Sequence, residues 1–392
     1  MEKIVIIAAS RTAMGSFQGS FSTLSAPDLG AVVIQNVVEQ ANIPLDDIDE
    51  VIMGCVLPAG VKQGPARQAM RQAGLQDHVG ATTINKVCGS GMKAAMQASD
   101  AIKAGSAKII VIGGMESMTN APYLLPKARS GYRMGHGQVI DHMFMDGLED
   151  AGTGRAMGSF AQDMADKKGY SREQMDEFAI RSLTRAQKAI AEGYFKNEIT
   201  AVKVTTRKGE VTIDVDENPA NAKIDKIPTL RAAFAKDGTI TAANSSSISD
   251  GASALLITSE SEANKRNLAV LAEIKGYTTN SQLPEEFTIA PVGAIEKLLK
   301  NVGWSAEDVD LWEINEAFAM VTMAAIDAFK LDPEKVNVNG GACALGHPLG
   351  SSGSRIIVTL IHALKRLGKS KGVAALCIGG GEATAIAIEV KA

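Results

Sequence analysis

Four short segments set reactive side chains among residues that let backbone approach a ligand closely. In NKVCGSGMKAAMQA, Cys88 stands where an apolar strand gives way to a helix. A thiol at a helix N-terminus feels the partial positive charge of unpaired N–H groups. That lowers its pKa and suits it to nucleophilic attack; the plainer reading is a small core cysteine. In GGACALGHPLGSSGSR, His347 is embedded in glycine and followed by proline, on a rigid turn rather than in a helical core. Such a turn suits a base or an oxyanion donor, with an ordinary surface histidine as the alternative. Cys377 ends a buried strand and precedes Ile378-Gly379-Gly380-Gly381, where a second thiol can serve as acid or base and exposed N–H groups can hold an oxyanion. Asn315, at the end of LWEIN, is either a helix cap or an amide that fixes a water at the reaction centre.

The other candidates are weaker. His78, His136, His142 and His362 have no comparable setting and read as structural, and Cys55 and Cys343 read as packing residues. Four cysteines without metal spacing exclude a disulfide scaffold and a zinc site. The triple glycine is not a dinucleotide fingerprint, because GxGxxG after an early strand is missing.

The elements that must position these residues alternate. Lys3–Ala9, Val51–Val56, Thr82–Val87 and Lys108–Gly113 read as buried strands. Asp28–Ala41 (with Asp28 as N-cap), Gly64–Ala73 and Met92–Ala104 read as helices. This alternation predicts an α/β protein with βαβ units and a parallel sheet. The pattern changes between Thr119 and about Ser247, where one strong helix, Arg172–Glu192, and a charged hairpin, Ala201–Val215, suggest an insertion or lid. From Leu271 the alternation resumes: helix Pro291–Val302, strand Leu311–Ile314, helix Ala317–Phe329, helix Gly353–Leu367, strand Val373–Ile378. Both halves contain Gly-turn, helix, strand, Gly-Gly, which reads as an internal duplication with a shared site at a pseudo-twofold axis.

Length and composition bound the rest. A chain of 392 residues exceeds one ordinary core, so two or three domains are expected. A net charge of −4 offers no basic field for nucleic acid. No stretch reaches the roughly 20 apolar residues of a membrane span, and the N-terminal layout lacks a signal peptide, so a cytoplasmic protein is expected.

Taken together, NKVCGSGMKA, GGMESMTNAPY, EINEAFA, NVNGGACALGHPLGSSGSR and CIGGGEATA resemble the thiolase family along essentially the whole chain, closest to its short-chain, biosynthetic members. The resemblance implies a thiolase fold of two duplicated βαβ-rich halves, layered α-β-α-β-α, with an inserted loop domain. The expected division is 1–118 plus 248–270, a loop domain at 119–247, and 271–392. It also implies acyl transfer between acetyl-CoA, acetoacetyl-CoA and CoA, with no cofactor or metal, in a homotetramer. In that scheme Cys88 carries the acetyl group, His347 is its base and later an oxyanion donor, and Cys377 is the carbon base. Asn315 holds a water for one oxyanion hole, and the N–H groups of Cys88 and Gly379 form the other. Met157, Leu230, Phe234, Ala242 and Ser246 line the pantetheine and nucleotide channel, and Phe287 and Phe318 border the acyl end. Two departures stand out: Ala156 where many short-chain members have histidine, and Ala220 where a basic residue is frequent. Lys203, Arg207, Lys208, Lys223, Lys226 and Arg231 are the remaining candidates for the CoA phosphates.

A broader degradative 3-ketoacyl-CoA thiolase and a non-catalytic acyl or lipid carrier are the competing expectations. Oxidative pairing of Cys88 with Cys377 is a further one.

Overall fold

The computed structural model describes residues 2–391. Its framework is one mixed sheet with helices on both faces and between its two halves. In the first half these are β1 (Ile4–Arg11), α1 (Ala26–Ala41), β2 (Glu50–Gly54), α2 (Pro65–Gln72), β3 (Gly80–Ile84), α3 (Ser90–Lys103) and β4 (Ile109–Ser117). The middle region carries α4 (Met157–Lys168), α5 (Arg172–Ala191) and the hairpin β5 (Val202–Thr206) and β6 (Gly209–Ile213). Then follow β7 (Ser249–Ser259), β8 (Ala272–Ser281), α6 (Ala290–Val302), β9 (Leu311–Ile314), α7 (Ala319–Phe329), α8 (Leu349–Leu367), β10 (Lys371–Ile378) and β11 (Glu382–Glu389).

The duplication is written in the strand pairing. β2–β4 is parallel, β4–β7 antiparallel and β7–β1 antiparallel; β9–β10, β10–β11 and β11–β8 repeat that sequence of orientations. The halves join through a short antiparallel contact of β1 with β8. The sheet is therefore mixed, not the parallel sheet expected from the alternation. In the second half Ile378 turns straight back into Glu382 through Gly380 (φ 89°) and Gly381 (φ 88°), a tight connection only antiparallel strands can use, and in the first half β7 returns from a distant part of the chain to lie antiparallel between β1 and β4.

Three apolar clusters define five layers. Val5, Val51, Val111 and Leu256 face α1 and α2, while Val373, Ala375 and Ala385 face α6 and Trp312. Between the two halves of the sheet, Met92 and Met96 of α3 and Ile356, Ile357 and Leu360 of α8 meet Ile6, Ile112, Leu376 and Ile386. α3 and α8 cross closely because their contact is built of small residues. A Cβ on Gly353 would lie 2.4 Å from Met92 N, and one on Gly91 2.5 Å from Ser354 Oγ. Gly353 is thus a packing glycine inside α8, which begins at Leu349 rather than at Gly353 as expected.

Other boundaries shift for identifiable reasons. α1 starts at Ala26 because Ser25, not Asp28, is the N-cap; Asp28 closes the capping box, accepting from Ser25 N at 2.8 Å. β3 ends at Ile84, not Val87, since Asn85–Val87 is already a turn.

Arg11 ties the middle region to the first half. Its guanidinium donates to Glu198 Oε1 at 2.6 Å and to both carboxylate oxygens of Asp216 at 2.7 and 2.9 Å, all fully buried. Removing one member of such a cluster strands the remaining charge. Arg11→Met is expected to lower unfolding free energy by about 3–5 kcal/mol, read from chemical denaturation; an unchanged midpoint would show that the cluster contributes nothing net.

Candidate active site

Cys88 lies in the turn between β3 and α3. Val87 before it has φ 47°, a left-handed conformation costly for a β-branched residue. Ser90 holds that turn, donating its hydroxyl to Val87 O at 2.7 Å and accepting from Lys86 N at 2.8 Å. Lys86 Nζ pairs with Glu382 Oε2 of the second half at 2.7 Å, so the turn is anchored across the pseudo-twofold axis. Gly89 lets the turn pack against the end of β10, where a Cβ would sit 2.3 Å from Ile378 Cδ1.

His347 enters from the other half. Gly346 (φ 111°) directs it inward, and His347 N donates to Ser247 O at 3.1 Å. Its Nδ1 meets Ser352 Oγ at 2.5 Å, and that hydroxyl donates to Pro348 O at 2.9 Å. The hydroxyl proton being committed, Nδ1 carries the imidazole proton and Nε2 is left as a lone-pair acceptor. Nε2 is buried with no protein partner. Burial, with Arg355 adding to it, pushes the imidazole pKa down to about 3, so the ring is a neutral acceptor.

Cys88, His347, Cys377 and Gly379 open onto one cavity of about 390 Å³. The backbone N–H groups of Gly379 and of Cys88 itself favour the thiolate form of Cys88. These donors do not offset burial, which pushes the thiol up to about 11. That reverses the expected lowering: α3 begins only at Ser90, and the thiol is shut away from water. Cys377 is also raised, by burial and then by the nearby Cys88. Both are free thiols. Burial in the site thus favours the uncharged forms of both thiols and of the imidazole.

The cavity wall gathers Met157, Phe234, Ala242, Ser246, Phe287 and Phe318. Phe318 stands edge-on to Phe234 (6.2 Å) and to Phe287 (6.3 Å), which gives one end a rigid aromatic lining. Leu230 and Asn315 lie off the wall. Leu230 O accepts from Arg172 Nη2 at 2.8 Å, and Asn315 is buried with Nδ2 unpaired. The six candidate cations are exposed; Lys203 pairs with Glu210 and Lys226 with Asp225.

Sequence reasoning passed over Ser352, which sets the imidazole tautomer, and Glu116. The Glu116 carboxylate takes N–H donors from Val56 (3.0 Å), Leu57 (3.0 Å) and Gly350 (2.8 Å), pinning the start of α8 to β4. A lone acid within the apolar run IIVIGGMES was the available signal. The π-helical turn Phe144–Leu148, which closes another side of the cavity, had none.

The thiolase N-terminal domain matches residues 4–261 and the thiolase C-terminal domain residues 268–390. The chain belongs to the thiolase family. It is 50% identical over 391 residues to an acetyl-CoA acetyltransferase of Escherichia coli (strain K12), and 48% over 390 to one of Pseudomonas aeruginosa, covering 99% of each pair of chains. The thiolase fold is matched by the crystal structure of the Bacillus anthracis acetyl-CoA acetyltransferase, with TM-score 0.97 and 41% identity over 100% of this chain and 99% of the other. A thiolase from Ascaris suum in complex with coenzyme A matches with TM-score 0.94 and 41% identity, both chains being covered completely. Among the described residues no helix is long and apolar enough to cross a membrane, and no cluster of His, Cys, Asp or Glu could hold a metal ion.

Proposed function

We propose that this thiolase is an acetyl-CoA C-acetyltransferase, condensing two acetyl-CoA reversibly to acetoacetyl-CoA and CoA. The observation that carries the reading is the single cavity shared by Cys88, His347, Cys377 and Gly379. His347 Nε2 takes the Cys88 proton as sulfur attacks the thioester carbonyl, and the N–H groups of Cys88 and Gly379 meet the oxyanion. The carbon–sulfur bond to CoA breaks, and the departing thiolate takes the Cys377 proton. Acetyl-Cys88, an imidazolium and a Cys377 thiolate remain. That thiolate removes the α-proton of the second acetyl-CoA. Its elevated pKa suits it to a weak carbon acid. The imidazolium and a water held by Asn315 stabilise the enolate, each donor being worth roughly 3–4 kcal/mol. Enolate attack on acetyl-Cys88 forms the carbon–carbon bond, and Cys88 leaves with the His347 proton, which restores the starting state. The cycle balances without a cofactor or metal.

The segment 119–247 acts as the loop domain over CoA, a reading supported by Met157, Phe234, Ala242 and Ser246 on the cavity wall. The enzyme works in the cytoplasm as a homotetramer; exposed Tyr123, Leu125 and Met134 support association through that region.

Thiolysis of acetoacetyl-CoA, 3-oxohexanoyl-CoA and 2-methylacetoacetyl-CoA tests the assignment. Phe287 and Phe318 border the acyl end, so turnover on the four-carbon substrate is expected to exceed that on the six-carbon one by at least tenfold, about the discrimination one to two methylenes allow. Comparable turnover would favour the degradative thiolase reading, which a 44% identical probable acetyl-CoA acyltransferase of Staphylococcus aureus keeps open. No turnover on any of them by folded protein would favour the carrier.

A further inference from the structure

Glu313 lies in β9 and Asn315 directly follows its last residue, and both meet Arg355 of α8. Arg355 is 1% exposed. Its Nη2 donates to Asn315 Oδ1 at 3.4 Å, and its Nη1 lies 3.6 Å from Glu313 Oε2. Nε and Nη1 make no hydrogen bond, and neither does Glu313 Oε1. The contrast within the same molecule is instructive. Arg11 makes a short, two-pronged pair with Asp216 at 2.7 and 2.9 Å, the geometry of a buried salt bridge. Arg355 is buried just as deeply, yet its one directed hydrogen bond goes to a neutral amide oxygen. Burying a guanidinium with so little return is costly.

An amide can turn over by 180°, exchanging its oxygen for its NH₂. A guanidinium has donors only, so the group facing it must be the oxygen. The geometry points to Arg355 as a positioning residue for the condensation half-reaction: it locks the Asn315 amide so that Nδ2, buried and unpaired, is the group offered to the water that stabilises the enolate. This rests on the reading of Asn315 given above. The charge of Arg355 also adds to the depression of the His347 pKa.

The test combines Arg355→Lys, Asn315→Ala and the double variant, with folding checked by thermal unfolding. Lysine keeps the charge and loses the planar fork. Arg355→Lys is expected to lower kcat for condensation roughly tenfold to a hundredfold, short of the ~10²–10³ for losing an oxyanion donor outright. KM and single-turnover acetylation of Cys88 should change less than about threefold, whereas a general loss of structure would depress both half-reactions. The double variant should be no slower than Asn315→Ala alone, since both act through one amide. If Arg355→Lys does not fold, the uncharged pair Arg355→Met with Glu313→Gln serves instead and should show the same loss. Multiplying effects, or normal condensation by Arg355→Lys while Asn315→Ala is impaired, would overturn the role of Arg355 and leave that of Asn315 intact. Normal condensation by Asn315→Ala would overturn the reading of Asn315, and this inference with it.

Discussion

Cys88→Ala is expected to yield no acetyl-enzyme, and acetoacetyl-CoA formation to fall by roughly 10⁴–10⁶-fold, the scale of losing a catalytic nucleophile. The measurement is intact-protein mass spectrometry after mixing with acetyl-CoA, alongside steady-state rates. An acetylated Cys88→Ala protein would place the acyl group elsewhere and sink the assignment. The chemistry of the site adds a second signature. With the thiol pushed up to about 11 by burial, its thiolate fraction rises about tenfold per pH unit between about pH 7 and 10. Alkylation of free enzyme by iodoacetamide should climb at that rate. Acetylation by acetyl-CoA should not follow it, because His347, neutral above about pH 3, takes the proton during attack. A flat alkylation profile above pH 6 would mean a stored thiolate and a different mode of activation.

Cys377→Ala separates the two half-reactions. Acetyl-Cys88 should still form, since a CoA thiolate can depart without the Cys377 proton. Condensation, and exchange of the acetyl-CoA α-protons with deuterated water, should fall by roughly 10²–10⁴-fold, the range for losing a positioned base. The substitution removes one sulfur from the strand end Cys377–Ile378 and leaves the Gly379 N–H in place, so the oxyanion donors survive. Condensation at near wild-type rate would assign the carbon base to another group.

The two cysteines also show how far the primary structure reaches. Cys88, His347 and Cys377 each sit against a glycine-rich turn, and glycine there marks places where backbone must pass close to backbone or ligand. That local signal singled out the candidate side chains and the strands and helices carrying them. The repeated order of turn, helix and strand identified the duplication, because it depends only on local spacing. Neighbouring residues also decided the element types: Leu311–Ile314 forms as expected, and Arg172–Ala191 differs from expectation by one residue.

What local spacing could not carry was anything set by distant partners. Strand direction in the central sheet depends on which strands meet: β7 settles between β1 and β4, more than a hundred residues away, and makes the sheet mixed. Protonation is set the same way. A helix N-terminus predicts a lowered thiol pKa at Cys88, but the enclosure built by the second half outweighs it. The His347 tautomer follows from Ser352, five residues on, only because α8 folds its hydroxyl back to Pro348. The orientation of Asn315 follows from Arg355, forty residues further along. The sequence by itself determined which groups could react, since chemical identity and turn propensity are local. The tertiary structure alone decided which of them share a cavity, which proton each holds and which way each points, since burial and hydrogen-bond partners come from segments that meet only when the chain is folded.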